Sequence, residues 1–171
     1  MQSSLRQQQT QAREVPEKEG RSLIVALDDV QDPGNVGTIL RTAAWFGADA
    51  IMCSKGTADR YNPKVVRSCA GSIFAIRHYG VESLSQELRH LQTRGYSILC
   101  STLDGKDFRE FAGWPEKTVL VIGNEANGIS DTVKALANHQ VHIPHAGAQP
   151  KVESLNAALS AAILMERVML G

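Results

Sequence analysis

From Leu23 onward, short runs of apolar and β-branched residues alternate with longer amphipathic stretches. The short runs predict strands at Leu23–Leu27, Ala50–Cys53, Ile76–Tyr79, Ser97–Cys100, Val119–Ile122 and Val141–Ile143. The longer stretches predict helices at Val36–Phe46, Pro63–Ala70, Leu84–Thr93, Ser130–Ala137 and Ser154–Leu170. Regular strand–helix alternation predicts an α/β fold, a parallel sheet with helices on both faces. Local chemistry supports several boundaries. Asn35 is placed to cap the helix starting at Val36, Pro63 suits a first helical turn, and Gly47 and Gly95 can close helices in the left-handed conformation. The last helix, with Ala157, Ala158, Leu159, Ala161, Ala162, Ile163, Leu164 and Met165, has almost no polar side. A helix apolar all round must be covered on more than one face, by the sheet and by either another element or a second subunit.

Residues 1–20 break this pattern. They are rich in Gln, Arg and Glu and read as a polar N-terminal arm or linker, leaving residues 21–171 as one domain with room for a proper core. The segment lacks the apolar middle of a signal peptide, and no apolar run approaches the roughly 18 residues of a membrane span. A cytoplasmic protein is expected, without membrane attachment. Cys53, Cys69 and Cys100 are odd in number and form no CxxC, so buried free thiols are favoured over a disulfide or metal site. The formal net charge is zero. Binding to RNA would therefore need an uneven distribution of Lys and Arg over the surface.

Three short strings fall where a strand-like run gives way to a helix-like one. They are Asp32-Pro33-Gly34-Asn35-Val36-Gly37 with Arg41, then Gly123 to Ser130, then Glu153-Ser154-Leu155-Asn156. Such corners expose backbone N–H groups and bind ligands in open α/β sheets. Gly123 to Ser130 has the glycine spacing of a P-loop, but Ile129 stands where the phosphate-binding Lys is needed. It is either a tight turn or, given Glu125, a loop suited to a cationic ligand, with Gly123 allowing close backbone approach. Arg41 has apolar neighbours on its helix and should need a partner, a phosphate or an acidic group. Ser154 is the cap candidate for the last helix, which leaves Asn156 as an unusual residue inside it. Lys55, Arg60, Lys64 and Arg67 are either a solvated loop or an RNA-phosphate surface. His139, His142 and His145 lie three apart in an extended segment, so successive rings point oppositely and no metal site is expected.

The order and spacing of the three strings resemble the SpoU (TrmH-like) family of RNA 2′-O-ribose methyltransferases, within the SPOUT superfamily. The likeness runs from about Leu23 to Gly171. It implies a C-terminal trefoil knot, S-adenosyl-L-methionine as cofactor, rRNA or tRNA as substrate, and a homodimer. It implies catalytic roles for Arg41, Asn35, Glu125 and Asn156, with Arg41 handling the ribose hydroxyl. It implies a cofactor pocket at Thr102, Leu103, Gly123, Asn124, Ile143, Pro144, Ser154 and Leu155. The segment Ala146–Val152 is longer than the family's usual link. Many relatives also carry an RNA-binding domain ahead of the catalytic one, so a minimal enzyme or the catalytic part of a longer chain is expected. The rival readings are a non-catalytic RNA-binding relative and a generic nucleotide-binding α/β protein. The second lacks its P-loop Lys, and the presence of Asn35, Arg41, Glu125 and Asn156 disfavours the first.

Overall fold

The computed structural model describes residues 15, 16, 18–147 and 152–171. Six parallel strands form one sheet: β1 (Ser22–Asp28), β2 (Ala50–Cys53), β3 (Arg77–Gly80), β4 (Ser97–Asp107), β5 (Lys117–Gly123) and β6 (His139–His142), in the order β3-β2-β1-β5-β4-β6. Five α-helices accompany it: α1 (Pro33–Trp45), α2 (Pro63–Ser68), α3 (Leu84–Thr93), α4 (Asp131–Lys134) and α5 (Ala157–Leu170). β1 is buried along its whole length because it is central and covered on both sides. Its alternating side chains divide between two cores. Leu23, Val25 and Leu27 pack with Ile39, Leu40, Ala161 and Leu164 of α1 and α5, whereas Ile24 and Ala26 pack with Leu84, Leu88 and Val133 of α3 and α4.

The predicted parallel sheet with helices on both faces is therefore present, and the differences are local. α1 begins at Pro33, not Val36, because Asp32 is the cap: its carboxylate accepts from Gly34 N at 2.6 Å. A proline in the first turn sacrifices no helical hydrogen bond, so the helix starts on it. Asn35 is thereby inside the first turn and freed from capping. At the other end, Asn156 and not Ser154 caps α5, its side-chain oxygen accepting from Ala158 N at 2.9 Å and Leu159 N at 3.3 Å. Asn156 is thus outside the apolar helix it was expected to interrupt. β4 runs on to Asp107, well past the predicted Cys100, and Val141 of β6 pairs with both Ser101 and Lys106. The intervening segment hugs β6 so closely that a Cβ on Gly105 would lie 2.6 Å from Val141 N.

Gly47 and Gly95 close their helices at φ +70° and +85°. All three cysteines are free and buried. His142 donates from Nδ1 to the Gly105 carbonyl at 2.6 Å, His139 meets the Phe111 ring edge-on, and no group that could hold a metal occurs among the described residues. No described helix is long and apolar enough to cross a membrane. The end of the polar N-terminal segment is docked: Val15 is buried in the α3 core, and Lys18 bridges Asp49 at 2.6 Å. Residues 1–14 and 17 of that predicted arm lie outside the described residues. Arg21, entering β1, donates to the Val168 and Gly171 carbonyls at 2.6 and 3.0 Å.

Candidate active site

β1 and β5 lie side by side in register, Asp28 opposite Gly123, although one is the first strand in the chain and the other the fifth. Strand order reverses here, which makes the carboxyl ends of these two strands the natural place for a site. Beyond Gly123 the chain folds into a compact loop. Asn124 N and Gly128 N exchange hydrogen bonds with each other's carbonyls, and the Asn124 side-chain oxygen accepts from Ala126 N and Asn127 N at 2.9 Å. Asn124 Nδ2 then donates to the Asp29 carbonyl at 2.8 Å, fixing the loop to β1. A Cβ on Gly123 would sit 2.4 Å from Gly128 C and Ile129 N. The close approach that demands glycine is therefore made by the protein's own loop.

The loop points Glu125 at the first string. Its carboxylate accepts from Gln31 N, Asp32 N and Asn35 Nδ2, each at 3.1 Å. Partial burial alone would raise the Glu125 pKa, but the Asn35 amide and the surrounding backbone N–H groups outweigh it and hold the carboxyl below its usual range. Asn35 is 8% exposed, and its Oδ1 accepts from Asn156 Nδ2 at 2.9 Å. A relay Glu125–Asn35–Asn156 thus joins all three strings and ends at the cap of α5. The sequence placed these residues together correctly but misread the caps, and it gave no sign that Asn124 would pin its loop to Asp29.

Arg41 is on the same helix as Asn35 but on another face. Ile39, Leu40 and Ala43 enter the core, while Arg41 is exposed and, among the described residues, has no hydrogen-bond or ion-pair partner. The expectation of a buried guanidinium with a partner is thus corrected. The apolar neighbours Ile39, Leu40 and Ala43 are on the far side of the helix. With Thr38, Thr42, Ala44 and Trp45 it lines an open depression of about 620 Å³.

Gly123 ends β5 with Asn124 just beyond it, Ile143 and Pro144 follow β6, and Thr102 and Leu103 lie within β4 where its pairing with β6 is interrupted between Ser101 and Lys106; the three strands are adjacent. Thr102 Oγ1 is buried without a hydrogen-bond partner among the described residues, while Leu103 remains well exposed. Ser154 and Leu155 are exposed in the approach to α5, and residues 148–151 of the preceding loop lie outside the described residues. An orphaned hydroxyl beside open apolar side chains fits a ligand with both polar and apolar parts. The basic residues are less uniform than their spacing suggested. Lys55 is 3.8 Å from Glu82, Lys64 is 3.4 Å from Asp32, Arg67 is exposed, and the Arg60 guanidinium lies over the Tyr61 ring.

Residues 22–166 match the model of the SpoU rRNA Methylase family. The chain belongs to this family. Among curated SpoU relatives, it is 36% identical over 141 residues to an uncharacterised tRNA/rRNA methyltransferase of Synechocystis, covering 82% of this chain and 50% of that protein. It is 35% identical over 143 residues to a 23S rRNA guanosine 2′-O-methyltransferase of Bacillus subtilis, covering 83% of this chain and 56% of that protein. An AdoMet-bound rRNA methyltransferase of Sinorhizobium meliloti superposes with a TM-score of 0.84 at 31% identity, over 93% of this chain and 59% of the other. The chain thus spans roughly half to two thirds of the length of the curated SpoU relatives it matches.

Proposed function

We propose that the protein is an S-adenosyl-L-methionine-dependent methyltransferase acting on a ribose 2′-hydroxyl of rRNA or tRNA. The observation that carries this reading is the gathering of the three strings at one sheet edge by the Glu125–Asn35–Asn156 relay, with Arg41 left free to meet a substrate. S-adenosyl-L-methionine, when bound, supplies a methyl group on a positively charged sulfur. Thr102, Leu103, Gly123, Asn124, Ile143, Pro144, Ser154 and Leu155 would hold it, with the Thr102 hydroxyl satisfied by a ligand hydrogen bond. Arg41 grips the nucleotide phosphate and donates to the ribose oxygen, whose proton passes to solvent. The guanidinium stays charged at any ordinary pH, so Arg41 aligns and stabilises the oxygen but does not accept the proton. Glu125, Asn35 and Asn156 fix the first turn of α1, and with it the direction from which Arg41 approaches.

Two structural expectations belong to this reading. The first is the C-terminal knot. It is supported by the segment 101–106 closing against β6, and by α5 packing back on α1 and β5 although β6 is the edge strand. The second is the homodimer. Trp45 is 84% exposed, and Leu159 and Ile163 face outward from the neighbouring helix α5. An apolar face of this kind is what a second subunit covers. Such a partner would also enclose Arg41. Three free buried thiols accord with a reducing compartment, and we place the protein in the cytoplasm.

The test is methyl transfer from tritiated cofactor to total rRNA and tRNA, followed by mapping of the modified ribose. Label at a 2′-oxygen is the expected result. RNA binding without transfer would favour the non-catalytic alternative.

A further inference from the structure

Tyr61 is 60% exposed, yet it is held firmly. Its backbone N–H donates to Asp59 Oδ1 at 2.6 Å, and Asn62 N closes the same turn on the Asp59 carbonyl at 2.9 Å. Asn62 caps α2, accepting from Lys64 N at 2.9 Å, and α2 packs against α1. The Lys64 ammonium reaches Asp32, the cap of α1, at 3.4 Å. The ring is therefore tied by short links to the turn that carries Asn35. The Arg60 guanidinium carbon is 4.6 Å from the ring centroid, and an Arg60 N–H donates to the Tyr61 hydroxyl. This contact orients the ring and sets a positive charge behind it. His78, within electrostatic reach of Arg60, adds no competing charge: burial first, and Arg60 itself second, push its pKa down to about 4, so that ring is neutral.

An exposed aromatic ring with a stacked arginine, beside Lys64 and Arg67, matches the chemistry of an unpaired nucleobase attached to phosphates. The ring offers a stacking face and the cations meet the backbone. We propose that Tyr61, backed by Arg60, is a stacking platform for a single-stranded nucleobase close to the ribose presented at Arg41. This rests on the RNA reading above and goes beyond it. Arg60 has moved from phosphate contact to support of the ring, and Tyr61 has joined the binding surface.

The experiment compares the parent with Tyr61→Leu, Tyr61→Phe and Lys64→Ala. Each is titrated into a 12-nucleotide single-stranded RNA carrying 2-aminopurine, over a range of salt concentrations. Tyr61→Leu should weaken binding about five-fold or more, the lower end for one lost base–aromatic stack. It should leave the salt slope unchanged and abolish the quenching of 2-aminopurine. Tyr61→Phe should keep both affinity and quenching, whereas Lys64→Ala should lower the slope with quenching retained. Leu binding as tightly as parent, or Phe failing as badly as Leu, overturns the platform and leaves the RNA reading standing. A parent that neither binds the oligonucleotide nor methylates total RNA overturns the RNA reading, and the platform with it. The ring is on the surface, so circular dichroism should report an unchanged fold in every variant.

Discussion

Asn35→Asp changes one atom in the relay and reverses its logic. The amide nitrogen that donates to Glu125 Oε1 at 3.1 Å becomes a carboxylate oxygen, while the oxygen that accepts from Asn156 is kept. Two unit charges about 4 Å apart repel by about 4 kcal/mol at the effective dielectric of a protein surface. Glu125 is open to water and salt, which brings the net penalty to about 2 kcal/mol. For a domain of this size that corresponds to a fall in melting temperature of about 4–8 °C near pH 7. The pH dependence is the sharper signature. In the variant the crowded carboxyl pair binds protons more readily folded than unfolded, so stability is recovered as pH falls toward about 4. In the parent, Glu125 is held below its usual pKa, so its contribution is present above the unfolded value and is lost as pH falls through the folded one. Both trends narrow the gap in acid. Differential scanning fluorimetry of the two proteins from pH 4 to 7.5 measures it. A gap that is absent, or constant across that range, would refute the relay as drawn.

Four further outcomes follow. Arg41→Lys keeps the charge but loses the planar fork, and should cut turnover by about 100-fold while calorimetry shows cofactor affinity unchanged; a joint loss would make Arg41 structural. Gly123→Ala should lower the melting temperature as well as cofactor binding, because the added methyl meets the backbone of Gly128 and Ile129, so a thermally neutral variant would contradict the loop geometry. Leu159→Glu should convert a dimer to a monomer in light scattering with little change in monomer fold, since that side chain is 57% exposed. Thr102→Val removes a hydroxyl with no described protein partner, so stability should hold or rise while cofactor affinity falls, and a clear destabilisation would show that the hydroxyl serves the fold.

The central strands were legible because they are apolar and separated by helices of the right length. Ala50–Cys53 and Leu84–Thr93 were located to the residue. The caps were not, and the reason is physical. Asp32, Asn35, Ser154 and Asn156 are all competent capping residues, and the choice among them depends on the distant partner Glu125 as well as on the preset backbone of Pro33. Arg41 was misjudged for a related reason. Reading its neighbours along the chain gives composition, whereas exposure depends on which side of a helix faces the core, and Ile39, Leu40 and Ala43 take that side. The extension of β4 to Asp107 was invisible because Asp104, Gly105 and Lys106 have no strand pattern; β6 imposes it from outside.

The clasp between Arg21 and the Val168 and Gly171 carbonyls sets where anything joined to this domain must begin. Arg21 and the end of α5 meet at the amino end of β1, while the relay belongs to its carboxyl end, seven residues along the strand and roughly 20 Å away. A module appended after α5 would start at the end of the sheet opposite the relay, whereas the chain ahead of Arg21 passes to the α3 face, where Val15 is buried. The same proximity makes the domain a natural cassette, able to be inserted into a host loop without pulling its own ends apart.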